Sequence, residues 1–349
     1  MKQQICIFTG ARPNFVKVAP LIRAIGNSDA CDYTLVYAGR ADDPTLEATL
    51  FDDLQMPRPD VFLGVDCENL NELTGQVMAH FEHYLEEHPT DTVIVVDDLA
   101  STMAAAIVAK KRGAHLAHLV AGTRSFDIAM PKEINRLVID GLSDMLFTAG
   151  MGASSIATRE GAELHKIYMV GNILMDQQRF CHDRWQRPVC APDGDYLVFT
   201  MNRRALLADE VNLNRMLDAV VDAAGHVPVL APLRGKAAEL VARHGGLQVV
   251  APLSYLEFGW LTAHAKGIVT DSGNVAEEAT FNHVPCITLN SYTEHIETVK
   301  QGTNVLVGED ADKLRACLTD LMAGRWKQSS LPDRWDGRTA ERIVMMLTK

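Results

Sequence analysis

Short apolar strands alternate with helices along the whole chain, and that alternation constrains the fold more than any other feature. The first half offers strands at Gln4–Phe8, Thr34–Tyr37, Val93–Val96, His115–Leu119, Met145–Thr148 and Ile167–Val170. Helical patterns at Phe15–Ile25, Leu70–Glu87, Ser101–Arg112, Ile134–Leu142 and Ala153–Glu163 lie between them. The second half repeats the design, with strands at Tyr196–Thr200, Val227–Leu230, Gln248–Val250, Gly267–Thr270, Pro285–Leu289 and Asn304–Val307. Its helices include Asp209–Ala224, Lys236–His244 and Val275–Asn282. Near-continuously apolar strands are strands buried on both faces, so the pattern predicts parallel sheets covered by helices. Two successive runs predict an α/β chain of two Rossmann-like domains. A length of 349 residues agrees with two, at roughly 100–200 residues per domain. The join is expected within 171–195, where Arg187-Pro188, Ala191-Pro192 and Asp193-Gly194 break regularity.

Composition narrows the partners. Lys and Arg number 33 against 45 Asp and Glu, a formal charge of -12. A surface this acidic repels phosphate backbones and anionic lipid, so neither nucleic acid nor membrane is expected as a partner. An anionic ligand would need a local positive site. The seven cysteines are scattered and odd in number, and no CxxC pair occurs. That is neither a disulfide framework nor a zinc ribbon, and no metal is expected. The apolar run in MKQQICIFTGARPNF is too short for a signal peptide, and no stretch reaches the ~20 apolar residues of a membrane span. The expected location is the cytoplasm.

Ligands of doubly wound sheets bind beyond the carboxyl ends of the strands, and two such domains place the default site in a cleft between them. Residues just after the strands are therefore the informative ones. The first turn reads Thr9-Gly10-Ala11-Arg12-Pro13-Asn14-Phe15, followed by Lys17. A helix N-terminus there offers amides to an anion, and Arg12 adds a fork-shaped phosphate donor. The plain alternative is an ordinary turn with one exposed arginine. No GxGxxG is present, so no dinucleotide fingerprint. A second block runs Thr270-Asp271-Ser272-Gly273-Asn274-Val275-Ala276-Glu277-Glu278. Ser272 can cap the helix, the amides of Gly273 and Asn274 can hold a diphosphate, and Glu278 can accept from ribose hydroxyls. A capped helix with early acids is the plain alternative.

GARPNFVKVAPLI, RSFDIAMPKEINR, GLSDMLFT, VGN, YLEFGWLTAHAKGIVTDSGNVAEEAT, TNVLVG and WDGRTAERIV, in this order, resemble the non-hydrolysing UDP-N-acetylglucosamine 2-epimerase family. The resemblance covers essentially the whole chain and leans toward the branch acting on UDP-diacetamido-uronic acids. It implies two domains of glycosyltransferase-B type, 1–172 and 173–335, with a C-terminal helix at 336–349 crossing back to the first. It implies a homodimer, a UDP-sugar ligand and no cofactor. Arg12, Lys17, Arg136, Asn172, Arg203, Ser272, Gly273 and Glu278 are then the expected UDP-binding residues.

The implied reaction inverts C2 of the sugar through loss of its proton and departure of UDP, which needs carboxylates and a histidine near C2. Here this chain departs from the family pattern. Gly-Gln-His reads Gly39-Arg40-Ala41, Gly-Asp-Thr reads Asp97-Asp98-Leu99, and Glu-Ala-Gly reads Val120-Ala121-Gly122. Pro-Glu-Glu reads Pro131-Lys132-Glu133, His-Arg reads Asn202-Arg203, His-Pro reads Ala231-Pro232, and Glu-Arg-Pro reads Glu294-His295-Ile296. Asp98 keeps its acid. Losing one catalytic group typically costs roughly 10²–10⁴-fold, so three losses predict little standard epimerase activity. Candidate substitutes are Asp97, Glu133 and His295, with Asp97 and Asp98 close enough to raise one pKa. Lys132 could pair with an acidic sugar or with Asp98. The plain alternatives are Asp97 as a helix cap, Lys132 solvated and His295 in a surface loop. Three uses stay open: an enzyme with a rebuilt proton relay, a UDP-sugar-binding partner or sensor without turnover, and a glycosyltransferase.

Overall fold

Seven strands form the first parallel sheet of the computed structural model, which describes residues 2–348. They are β1 (Gln3–Thr9), β2 (Cys31–Tyr37), β3 (Val61–Phe62), β4 (Thr92–Val96), β5 (His115–Ala121), β6 (Met145–Thr148) and β7 (Ile167–Met169). Their order across the sheet is β3-β2-β1-β4-β5-β6-β7. Central β4 is Thr-Val-Ile-Val-Val and buried at every position, as a strand covered by helices on both faces must be. β8 (Leu197–Thr200), β9 (Val229–Ala231), β10 (Gln248–Val249), β11 (Gly267–Thr270), β12 (Cys286–Thr288) and β13 (Asn304–Leu306) form a second parallel sheet, ordered β10-β9-β8-β11-β12-β13. Both sheets reverse strand order beside their first strand, the arrangement of Rossmann-like folds. The expected fold class is therefore what the chain adopts.

The chain divides into two compact units, one running through Phe180 and resuming at Asp333, the other Cys181–Pro332. The segment after Gly171, irregular by its sequence, holds a helix at Ile173–Cys181 whose contacts tie it to the first unit. Arg23 donates to Gln177 Oε1 at 2.6 Å and stacks over the Phe180 ring at 3.7 Å. Asp176 accepts the amides of Thr339 (3.0 Å) and Ala340 (2.7 Å), capping the C-terminal helix Thr339–Leu347. That helix packs on the first helix, Arg12–Gly26, within the same unit. Trp335, 1% exposed, donates its indole N–H to the Ala149 carbonyl at 3.0 Å. Gly171 (φ +107°) allows this return, because a Cβ there would lie 2.2 Å from the Arg334 carbonyl oxygen.

Three other elements differ from the sequence expectation. Strand β3 spans two residues among prolines and forms only by pairing with the end of β2. The helix Ala48–Leu54 carries no side-chain cap to announce it. The helix beginning at Met151 ends at Arg159 rather than at Glu163, since Gly161 turns the chain at φ +94°. Among the described residues no helix is long and apolar enough to cross a membrane.

Candidate functional site

In the first unit the ends of β1 and β4 flank the point where strand order reverses. The turn after β1 passes so close to Ser101 that a Cβ on Gly10 would sit 2.1 Å from its Oγ. Arg12 is half-buried and lines a cavity of about 600 Å³ with Gly10, Ala11, Tyr37, Arg40 and Ser101. The amides of Gly10 and Ala11 are not offered to a ligand. Both donate to Asn14 Oδ1, at 2.9 and 3.1 Å. Asn14 Nδ2 in turn donates to Asp97 Oδ2 at 2.8 Å, and Lys17 Nζ donates to Asp97 Oδ1 at 2.5 Å. Lys17 is buried within this contact.

Asp97 thus caps no helix; Leu99 takes the N-cap place before Ala100–Lys111. Its backbone is left-handed, φ +60°, a conformation natural to the glycine of the family pattern. Asp98 points to a different set of cations. Arg136 donates to Asp98 Oδ2 through Nε (2.8 Å) and a terminal nitrogen (2.6 Å), and Lys132 Nζ lies 3.1 Å from Oδ1. The two adjacent carboxylates therefore face different partners rather than each other. Burial opposes the Asp98 charge, but Lys132 and Arg136 outweigh it and hold the carboxyl below its usual range. Lys132, a half-solvated side chain, makes the pairing with Asp98 that its sequence position suggests.

Glu133 is equally committed. Its oxygens accept the amides of Ser125 and Phe126 and the Ser125 hydroxyl, all at 2.9 Å, and Arg136 approaches at 3.2 Å. These partners outweigh burial and lower its pKa, so Glu133 is an ionised clamp on the loop before its own helix, Pro131–Leu142. Val120 falls at a register shift between β5 and β6 and holds φ +75°, an outlier for a β-branched residue. Arg40 pairs bidentately with Asp42 at 2.8 and 2.6 Å, and Ala41 is exposed. Asn172 is buried, its Oδ1 accepting the Leu174 amide at 3.0 Å.

A buried chain behind this crevice has no local sequence signature. His118, in β5, faces Asp140 Oδ1 through Nδ1 (2.6 Å) and the Asp97 carbonyl through Nε2 (2.9 Å). Arg124 bridges Asp140 at 2.8 Å and Glu160 at 2.6 Å. Burial works against the Asp140 charge, yet His118 and Arg124 depress its pKa. A histidine inside an apolar strand was the available hint, since a buried imidazole requires partners.

The second unit presents its own crevice at the ends of β8 and β11. Asp271 Oδ2 accepts the amides of Asn202 (2.7 Å) and Arg203 (2.6 Å), and Asn290 Nδ2 donates to its carbonyl at 3.0 Å. Arg203 reaches Asn290 Oδ1 at 3.2 Å and Glu309 at 3.3 Å. Ser272 caps the helix Gly273–Phe281, its side chain accepting the Val275 amide. A Cβ on Gly273 would meet no atom within 4 Å, so the helix start is open. Glu278 is buried one turn along, Asn202 is exposed and Ala231 is buried at the end of β9. His295 is no surface residue: it is 8% exposed, with Nε2 at 3.4 Å from Glu277 Oε1. An open helix N-terminus, an arginine and a buried carboxylate together suit a nucleoside diphosphate. Among the described residues no three His, Cys, Asp or Glu side chains gather to hold a metal ion.

A sequence profile of the UDP-N-acetylglucosamine 2-epimerase family matches residues 23–348. The UDP-2,3-diacetamido-2,3-dideoxy-D-glucuronate 2-epimerase of Pseudomonas aeruginosa is 33% identical, covering 99% of both chains. The UDP-N-acetylglucosamine 2-epimerase of Methanocaldococcus jannaschii is 31% identical, again over 99% of each. The crystal structure of the latter in complex with UDP-GlcNAc and UDP superposes with a TM-score of 0.82 at 29% identity, covering 99% of each chain. The UDP-GlcNAc 2-epimerase of Neisseria meningitidis bound to UDP-GlcNAc shares the fold, with a TM-score of 0.88 at 20% identity and 99% of each chain covered.

Proposed function

From the premise that this chain belongs to the UDP-N-acetylglucosamine 2-epimerase family, we propose that it binds the UDP of a UDP-2-acetamido sugar through its second unit without standard C2 epimerisation. The observation that carries the second half is the commitment of the acids in the first unit. Asp97 is held by Lys17 and Asn14, Asp98 by Arg136 and Lys132, Glu133 by Arg136 and the Ser125 loop, and Asp140 by His118 and Arg124. A general base must reach the proton it abstracts and have a pKa suited to the task. Asp98, Glu133 and Asp140 are instead biased toward permanent ionisation. Val120 and Asn202 stand where the family pattern has an acid and a histidine, and neither moves a proton near neutral pH.

The binding half is supported by the open helix N-terminus at Ser272-Gly273, by Arg203 and by Glu278. Relatives solved with UDP-GlcNAc or UDP make this the natural ligand class. Arg12 lines the first unit's own cavity, a cation in keeping with an anionic ligand there. The reading places the protein in the cytoplasm as a homodimer. The exposed apolar side chains Phe126, Ile128, Ile134 and Leu137, on and before one helix, are the kind of surface such a dimer would cover.

Titration calorimetry tests the binding half. UDP is expected to bind the wild-type chain, and Arg203→Ala to weaken it about tenfold, the worth of one charge-assisted hydrogen bond. A UDP titration with no heat and no rise in melting temperature would sink the reading.

A further inference from the structure

In parallel sheets the ligand place lies beyond the strand ends at the reversal of strand order. In the first unit a carboxylate of the protein itself stands there. Asp97 follows β4, while Asn14 and Lys17 come from the helix after β1, the neighbouring strand across the reversal. Asn14 Nδ2 and Lys17 Nζ each donate to one Asp97 oxygen, at 2.8 and 2.5 Å. Both donors are nearly buried, at 1% and 7% exposed. The Asp97 side chain keeps 17% of its surface, so the place it fills beside the two donors is partly open to solvent. Asp97 holds this place in a left-handed conformation that L residues rarely adopt. His118 fixes its carbonyl from behind at 2.9 Å.

We propose that Asn14 and Lys17 form a niche for a phosphate- or carboxylate-sized oxyanion, and that Asp97 fills it as a built-in stand-in that keeps ligand anions out. Two donors of this kind, one charged and both fixed by packing, match an oxyanion as they match the Asp97 carboxylate. While Asp97 is in place, an incoming anion meets a like charge already seated on both donors. Asp97 therefore acts as a specificity residue: it keeps anionic groups out of this niche of the first unit. This holds whether or not UDP binds in the second unit.

Asp97→Gly removes the carboxylate and suits the left-handed backbone. Asp97→Ser removes the charge while keeping a short polar side chain, so the test survives if one variant folds poorly. Asp97→Asn keeps the niche filled. Melting temperature is read for each with and without millimolar inorganic phosphate, and in parallel with sodium acetate. The readout is the gain relative to wild type, which cancels any phosphate held elsewhere. The glycine or serine variant is expected to gain about 2–4 °C from phosphate beyond the wild-type response. The asparagine variant gains nothing extra, and adding Lys17→Met to Asp97→Gly abolishes the gain. A gain with phosphate alone identifies a phosphate niche, and a gain with acetate as well a general oxyanion niche; both support the proposal. Equal responses in wild type and in the glycine and serine variants overturn it, as does a gain that survives Lys17→Met.

Discussion

Replacing Arg136 by methionine is expected to destabilise the first unit by about 3–5 kcal/mol, the cost of leaving a buried charge without its partner. The guanidinium is 2% exposed and lies between two carboxylates, with Asp98 taking two of its N–H groups and Glu133 a third. Methionine fills much of the volume but leaves both acids facing one another. Lys132→Met removes the other Asp98 partner, but that ammonium is 55% exposed, so the loss is expected to stay within about 1 kcal/mol. Acid titration separates the two effects. Asp98 and Glu133 titrate below their usual range in the folded chain. Their contribution is therefore present above the unfolded carboxylate pKa, about 4, and is lost as pH falls through the lowered values. In Arg136→Met that acid-dependent loss should flatten. Urea unfolding at neutral and acid pH measures both, and a midpoint equal to wild type would contradict the account.

Trp335→Ala is expected to cost about 3–5 kcal/mol, as large-to-small changes in a packed core do. The indole is buried and its N–H satisfies the Ala149 carbonyl, which the variant leaves unpaired. The same segment brings the amides of Thr339 and Ala340 to Asp176 and Arg342 to the Val170 carbonyl at 2.9 Å. Loss of Trp335 should thus free the C-terminal helix as a whole. Hydrogen exchange should show the Thr339–Leu347 amides losing protection before those of β4. Met345→Ala, at a 53% exposed position of that helix, should stay within about 0.5 kcal/mol. Unchanged protection in Trp335→Ala would show that the tryptophan does not hold the helix.

Local chemistry was legible in the sequence wherever one short segment decides it. Central strands such as β4 and β11 announce themselves by unbroken apolar runs. Ser272 caps its helix as its place before Gly273 suggests. What stayed hidden depends on residues far apart in the chain. Asp97 reads as a candidate catalytic acid or a helix cap until strand order sets β4 beside β1 and brings Lys17 within 2.5 Å. Glu133 reads as a candidate catalytic substitute until the Ser125 loop folds its amides onto it. His118 and Asp140 meet only because β5 and the helix Pro131–Leu142 pack together. Strand β3 and the helix Ile173–Cys181 have weak local patterns and take shape from their neighbours.

The central claim is that this member of the epimerase family binds a UDP-2-acetamido sugar while its acids are committed elsewhere. Proton NMR of UDP-GlcNAc and UDP-2,3-diacetamido-2,3-dideoxyglucuronate with the protein in deuterated water tests it most directly. The account predicts line broadening of the uridine resonances, an intact C2 proton signal and no epimer. Solvent deuterium appearing at C2 would contradict it, because a working proton relay would then exist among side chains that the structure holds in ion pairs.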